Sequence, residues 1–70
     1  MKHLKVLKAL ENGPKTVEEI AEETGIGPME VRRYLLRFAE SGKVGSYRKD
    51  GKLYWKLKER DELGEEFKYV

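Results

Sequence analysis

The organisation of this chain is clearest in residues 16–38, TVEEIAEETGIGPMEVRRYLLRF. Two patterns of apolar residues at helical spacing lie on either side of the segment GIGP at residues 25–28. The charge changes at this break: the first pattern carries Glu18, Glu19, Glu22 and Glu23, and the second carries Arg32, Arg33 and Arg37. The sequence therefore predicts two helices of opposite charge that are joined by a tight turn.

Local signals predict where these two helices begin and end. Thr16 and Glu19 match a capping box, in which each side chain accepts a hydrogen bond from the other residue's backbone amide. Gly25 predicts the end of the first helix, because glycine suits a left-handed cap. Pro28 predicts the start of the second helix, since its missing amide costs nothing at the first helical position. Gly42 is expected to close that helix.

A further helix is predicted before this stretch. Its apolar residues recur at helical spacing and are Leu4, Val6, Leu7 and Leu10. They predict a helix over residues 2–11. Asn12, Gly13 and Pro14 follow, and proline cannot continue a helix, so we expect the chain to turn there.

After Gly42 the apolar period changes from about 3.6 to 2, as in strands. Two strand-like runs, residues 44–49 and 52–57, flank Asp50 and Gly51. Asp-Gly between two such runs is a strong signal for a two-residue hairpin. An isolated hairpin is marginally stable, so we expect this one to pack against the helices.

Alternation also predicts which side chains of the hairpin face the helices. Leu53, Trp55 and Leu57 are expected to point inward, with Trp55 as the anchor. Four of the seven aromatic residues are expected in the core rather than as platforms for nucleic-acid bases: Tyr34, Phe38, Tyr47 and Trp55. Leu36 falls on the outward side of its helix, where it either packs on the first helix or the tail, or contacts a partner.

Composition excludes several classes of protein. A chain of 70 residues forms one small domain. It has no cysteine, which excludes disulfides and cysteine-based zinc sites, and its one histidine, His3, cannot form a metal site alone. No apolar run is long enough to span a membrane, and the first residues are too polar for a signal peptide. We therefore expect a cytoplasmic protein without a cofactor.

The charges are unevenly distributed along the chain. Residues 29–58 hold nine bases and three acids, a balance of +6, whereas residues 59–70 hold two bases and five acids, a balance of −3. A polyanion is therefore expected to meet the middle of the chain. In the tail, Leu63, Phe67 and Val70 could line a short helix. We leave open whether this tail caps the domain or pairs with a second chain.

The helical segments, the turn and the hairpin together resemble the winged helix-turn-helix family over residues 2–58. Ala21 takes the small position where the two helices cross, Gly25 the turn, Ile26 the apolar plug and Val31 a buried position of the second helix. The resemblance implies an α+β fold with three helices followed by a two-stranded β-hairpin wing. It predicts a domain over residues 1–58 and a C-terminal tail, 59–70, of uncertain structure.

The resemblance also implies sequence-specific binding of double-stranded DNA by a transcriptional regulator. The helix at residues 28–41 would enter the major groove, and the hairpin at residues 44–57 would be the wing. The predicted DNA contacts are Lys15, Pro28, Met29, Arg32, Arg33, Arg37, Arg48, Lys49 and Lys52. Arg32, Arg33 and Met29 are expected to read bases, and Arg37 and the wing tip to hold the backbone. Lys15 and the amides that open the second helix are expected to hold a phosphate.

Several observations leave other interpretations open. The arginines could instead pair with Glu30, Glu40 or the acidic helix. The acidic residues of that helix must face away from DNA, or binding is weaker than the number of bases implies. Winged helices also serve as protein–protein modules, which is the main alternative; binding of RNA or of DNA without sequence preference is a third. No arrangement of residues suggests an enzyme or a small-molecule ligand. A homodimer through the tail is compatible with this pattern, because palindromic DNA sites need two heads.

Overall fold

The computed structural model describes the backbone of residues 1–60 and 67–68 and the side chains of residues 1–58. Three α-helices are followed by a two-stranded antiparallel hairpin, which confirms the predicted α+β architecture. The helices are α1 (Lys2–Ala9), α2 (Val17–Thr24) and α3 (Pro28–Glu40), and the strands of the hairpin are β1 (Val44–Lys49) and β2 (Lys52–Leu57).

The first helix differs slightly from its prediction. It is α-helical only as far as Ala9, and Leu10–Asn12 continue it as a 3₁₀ turn. Helices often tighten in this way in their last turn. Leu10 is buried in the core, and Gly13, with φ of 128°, then redirects the chain towards α2.

The turn between α2 and α3 has the predicted geometry. The Glu19 amide donates to the Thr16 hydroxyl at 3.1 Å, and the Thr16 amide donates to the Glu19 carboxylate at 2.9 Å, so the capping box is confirmed. Gly25 closes α2 in the left-handed region with φ of 77°. Ile26 is buried directly after it, and α3 begins at Pro28. The cap, the left-handed glycine, the buried Ile26 and the proline together determine the angle at which α2 and α3 cross.

All three helices and both strands of the hairpin contribute to one core. Its buried apolar residues are Val6, Ala9, Leu10, Ile20, Ile26, Val31, Leu35, Val44 and Trp55. Seven further apolar residues are half-buried against it: Leu7, Val17, Ala21, Tyr34, Phe38, Ala39 and Leu57. The core therefore holds the inner side of α3 and leaves its outer side to solvent.

The hairpin has the predicted register and turn. Tyr47 pairs with Tyr54, and Lys49 pairs with Lys52 next to the two-residue turn. Asp50 and Gly51 have φ of 53° and 78°. Two-residue turns with positive φ at both positions are favoured in hairpins, because their backbone twist matches the twist of the flanking strands.

A backbone bridge that the sequence does not predict ties the hairpin to the helices. The Lys15 amide donates to the Trp55 carbonyl at 3.0 Å, and the Trp55 amide donates to the Lys15 carbonyl at 2.8 Å. The residue before the α2 cap thus pairs with the middle of β2. This bridge and the buried Trp55 side chain fix the position of the wing beside the helices.

One prediction about the hairpin side chains is wrong, and another holds only in part. Leu53 lies on the same side of the hairpin as Trp55, as predicted, but it is near the turn and is 37% exposed. Tyr47 is also 37% exposed and outside the core, because its strand position faces away from the buried Trp55. Trp55 and Leu57 do face the core, as predicted.

Part of the tail forms a second, separate pair of strands. These are β3 (Glu59–Arg60) and β4 (Phe67–Lys68), which are antiparallel to each other. Phe67 is therefore in a strand, so the short tail helix that the sequence left possible does not form at this residue. Leu63 and Val70, the other two residues of that prediction, lie outside the described residues.

Candidate nucleic-acid interface

The outer face of α3 carries most of the predicted contact residues. Val31 and Leu35 hold the helix in the core, and successive residues turn by about 100° around its axis. The residues opposite them are exposed: Met29, Arg32, Arg33, Leu36 and Arg37. Met29 is 77% exposed and Leu36 is 49% exposed, so this face offers apolar side chains among its cations. Leu36 is therefore not covered by α1.

These arginines have no ion pair with any described carboxylate. Among residues 1–58 the salt bridges are Lys2–Glu30 at 3.4 Å and Lys15–Glu23 at 3.7 Å. The Tyr34 hydroxyl also donates to the Glu30 carboxylate, at 3.2 Å. Glu30 is thus engaged on the side of α3 that faces α1. The interpretation that the arginines are neutralised by Glu30, Glu40 or the acidic helix is therefore wrong.

A groove lies between the start of α2, the start of α3 and the tip of the hairpin. Five predicted contact residues line it: Pro28, Met29, Arg32, Arg48 and Lys52. Its other lining residues are Thr16, Val17, Glu18, Glu19, Gly51 and Leu53. The fold thus brings α3 and the wing, which are distant in sequence, to one concave surface with three cations.

The two strands divide the basic residues of the wing between its faces. Arg48 pairs with Leu53 in the strand register, on the same side as Trp55 and the groove. Lys49 is next to Arg48 in sequence, so its side chain points to the opposite face. Lys52 is its cross-strand partner, but it lies at the turn and also lines the groove. Arg33, Arg37 and Lys49 are exposed but do not line the groove.

Lys15 does not join this surface. Its ammonium donates to the Ala9 carbonyl at 2.7 Å and lies 3.7 Å from the Glu23 carboxylate. Its side chain is only 19% exposed. The prediction that Lys15 holds a phosphate is contradicted by these contacts, because the side chain is used to join the end of α1 to α2.

The start of α2 is also unsuited to a phosphate. The capping box uses the Glu19 amide, and it places the Glu19 carboxylate at the helix start, where it repels an anion. Glu18 and Glu19 both line the groove and so do not face away from it, which favours the other alternative, binding weaker than the number of bases implies. Glu22 and Glu23 line a different cleft together with Lys15.

The start of α3, unlike the start of α2, has no side chain that would compete with a phosphate for the helix amides. Gly27 is its N-cap, and no side chain there accepts a hydrogen bond from the helix. The first-turn amides of an α-helix have no partner within the helix. The start of α3 therefore offers donors as well as the neighbouring Arg32, whereas the start of α2 has been closed by its own side chains.

Sequence reasoning missed Leu53 and Glu18 as residues of the groove. A signal for Leu53 was present, because counting outward from a two-residue turn pairs it with Arg48. Glu18 is the second residue of α2, and the crossing of α2 with α3 places that first turn beside the wing. No pattern in the sequence indicates that the first turn of α2 lies beside the hairpin, which is distant from it in the chain.

The described residues contain no group of three histidines, cysteines or carboxylates that is placed to hold a metal ion. None of their helices has both the length and the apolar composition that crossing a bilayer requires.

The comparisons with known proteins agree with this geometry. The model of the family described as winged helix-turn helix matches residues 3–62. A winged helix-turn-helix DNA-binding domain from Mycobacterium bovis, described as homodimeric, is 27% identical with a TM-score of 0.75, over 80% of this chain and 52% of that one. ZitR of Lactococcus lactis, solved in complex with DNA, is 27% identical with a TM-score of 0.72, over 80% and 40%.

A third solved structure has nearly the same size as this chain. The Zalpha domain of PKZ from Carassius auratus, solved in complex with Z-DNA, is 26% identical with a TM-score of 0.70. That match covers 80% of this chain and 90% of the domain. By contrast, the chain spans about half of the M. bovis fragment. A search of curated protein sequences finds no match.

Proposed function

The chain belongs to the winged helix-turn-helix family, and we propose that it binds double-stranded DNA sequence-specifically as a transcriptional regulator. The helix at residues 28–41 enters the major groove, and the hairpin at residues 44–57 contacts the adjacent backbone or minor groove. One observation carries this proposal. The cations on the outer face of α3 and in the groove have no carboxylate partner among residues 1–58, although those residues hold eight acids.

Base reading is assigned to the start of α3. Arg32 lines the groove and is exposed, and arginine recognises guanine by two parallel hydrogen bonds. Met29 lies one turn before it and is 77% exposed, so it is available to contact a thymine methyl group. Arg33 is exposed on the same face and is the second candidate for a base contact.

Backbone contacts are assigned to the two ends of this surface. Arg37 lies one turn beyond Arg33 and is suited to a phosphate. Arg48 and Lys52 line the groove from the wing side, and Lys49 flanks them on the other face. Pro28 is exposed at the start of α3 and lines the groove, where it is placed to contact the DNA by its ring.

Glu18 and Glu19 oppose this electrostatic attraction. Both line the groove that the cations share. Their charges lower the affinity below what the number of cations implies, and they penalise any binding mode that brings a phosphate to the start of α2. The acids therefore restrict the DNA backbone to the α3 and wing side of the groove.

The first test is a fluorescence anisotropy titration with mixed-sequence duplex DNA at several salt concentrations. Binding should weaken as salt rises, with a slope of about −0.9 in log K against log salt for each phosphate neutralised. Preference for a selected sequence over the mixed one should then appear at fixed salt. No binding at low salt would contradict the proposal and favour a protein partner, contacted through the exposed Leu36 and Met29.

Dimerisation through the tail is part of the proposal. The M. bovis relative is described as homodimeric, and paired heads suit palindromic sites. We assign DNA binding to residues 1–58 and pairing of two chains to residues 59–70. Light scattering of the full chain should then give twice the 8.2 kDa monomer mass, and removal of residues 59–70 should give a monomer. A monomeric full chain would contradict this assignment.

A further inference from the structure

The hairpin has a second surface, which shares only Lys52 with the groove. We call it the outer wing face, and it consists of the residues that point away from the helices: Gly45, Tyr47, Lys49, Lys52, Tyr54 and Lys56. Trp55 and Val44 occupy the opposite face, in the core. The outer wing face therefore carries two aromatic rings and three lysines, and no carboxylate.

The two tyrosines form a stacked pair. They are directly opposite in the strand register, with ring centroids 5.6 Å apart and an angle of 27° between the rings. The Lys56 ammonium lies 5.9 Å from the Tyr47 centroid. Tyr47 remains 37% exposed although it has both of these neighbours. An ordered, partly exposed ring beside a cation is a suitable platform for a flat, electron-rich partner.

The lysines at the tip are arranged unfavourably for the isolated hairpin. Lys49 and Lys52 are direct cross-strand partners, and like charges in that position destabilise a strand pair. A cross-strand pair of tyrosines is explained by hairpin stability alone, but two opposed lysines are not. A polyanion placed across the tip offsets their repulsion.

We propose that the outer wing face binds single-stranded DNA, with bases stacked on Tyr47 and phosphates held by Lys49 and Lys52. This inference rests on the proposed function, because Lys52 also lines the duplex groove and makes the two surfaces continuous. A strand that leaves the bound duplex can pass around the wing tip onto this face. The protein would then prefer a junction between duplex and single strand.

A duplex does not suit the outer wing face, which is why we assign a single strand to it. Bases in a duplex already stack on each other and expose only their edges in the grooves. Unpaired bases expose their flat sides, and aromatic side chains flanked by cations bind them with little sequence preference. Tyr47, Tyr54 and the lysines provide this combination of groups.

The test compares two DNA probes by anisotropy: a blunt duplex and the same duplex with an oligothymidine overhang. The wild-type protein should bind the overhang probe at least about fivefold more tightly, the lower end of what one stacked base contributes. The double variant Tyr47→Thr with Tyr54→Thr should lose this gain and keep the affinity for the blunt duplex. Threonine favours strands, and circular dichroism checks that the variant is folded.

Two further variants separate stacking from charge. Replacing both tyrosines by phenylalanine retains the rings and should retain the gain. Lys49→Gln should lower the salt slope for the overhang probe by about 0.7, the value for one phosphate of a single strand. Lys5→Gln, at an exposed position of α1, is the matched control and should leave the slope unchanged.

The outcomes distinguish this inference from the proposed function. Equal affinity for the two probes, or a gain that survives in the threonine variant, would overturn the single-strand site while duplex binding stands. Failure to bind the blunt duplex, together with tyrosine-dependent binding of oligothymidine alone, would overturn the proposed function and support the outer wing face. Failure to bind either probe would overturn both.

Discussion

The helices α2 and α3 share one motif and differ in how their polar groups are satisfied. In α2 the Thr16–Glu19 capping box closes the start, the Thr24 hydroxyl donates to the Ile20 carbonyl at 2.7 Å, and Glu23 approaches Lys15. In α3 no side chain caps the start, and three arginines have no described carboxylate partner. The polar groups of α2 are paired within the chain, whereas those of α3 are left to water and are available to an external ligand.

Because of this difference, we expect substitutions around α2 to change the stability of the fold and substitutions on the outer face of α3 to change ligand binding. Capping boxes and partly buried ion pairs stabilise the folded state, so residues of this kind should affect the free energy of unfolding. Exposed cations without partners contribute little to stability, because water already solvates them. Their removal should therefore affect binding and leave the fold intact. The variants below change either the paired groups around α2 or the unpaired cations of α3.

The largest effect is expected from reversing charge on α3. The double variant Arg32→Glu with Arg33→Glu should lower duplex affinity by at least about thirtyfold, since each arginine–base contact discriminates by about 1–3 kcal/mol. Circular dichroism and thermal unfolding should be nearly unchanged, because both side chains are exposed and unpaired with described acids. Anisotropy at low salt measures the loss.

A matched control for this variant is available on α1. Lys5→Glu with Lys8→Glu also reverses two exposed positive charges and alters net charge equally. It should weaken binding far less, because neither residue lies on α3 or in the groove. Equal losses in the two double variants would mean that only net charge matters, and unchanged binding in the α3 variant would remove this helix from the interface.

Much of the fold could be predicted from local sequence signals. The capping box, Gly25, Pro28 and the Asp50-Gly51 turn each act over a few residues, and all of them are confirmed. Their physics is local, since each signal concerns the backbone groups nearest to it. The same signals therefore gave the correct order of elements and the correct hairpin register.

The relative placement of distant residues could not be predicted in the same way. The side chain of Lys15 was expected to meet a phosphate, but it turns to the Ala9 carbonyl instead. Its backbone pairs with Trp55, 40 positions later, and nothing near Lys15 in sequence indicates that partner. Similarly, Glu18 meets the groove only because α2 crosses α3 beside the wing. Tertiary packing, rather than helix propensity, determines these positions.

A smaller effect, on stability alone, is expected at Lys15. The variant Lys15→Met retains the alkyl chain and removes the ammonium that donates to Ala9 at 2.7 Å. Unfolding should become easier by about 1.5 kcal/mol, the lower range for a hydrogen bond that involves a charged group. Duplex affinity should remain within about twofold of the wild-type value, since salt screens a lone distant charge.

Denaturant unfolding monitored by the fluorescence of Trp55, the only tryptophan, measures this change directly. Lys8→Met is the control, because Lys8 is exposed on α1 and should alter stability little. A Lys15→Met protein with normal stability and weakened DNA binding would instead restore Lys15 as a phosphate contact.

The smallest effect is expected from removing a negative charge of α2, which tests whether the acids of α2 lower the affinity that the cations of α3 and the wing provide. Glu18→Gln removes a charge that faces the groove without altering the capping box, which uses Thr16 and Glu19. Duplex affinity should rise by up to about fivefold, in line with the 1 kcal/mol or less that exposed charge interactions contribute. Glu22→Gln removes an equal charge from the same helix on the side away from the groove. An equal rise in both variants would reflect net charge, whereas a rise confined to Glu18→Gln would show that this carboxylate limits how closely the DNA backbone approaches α2.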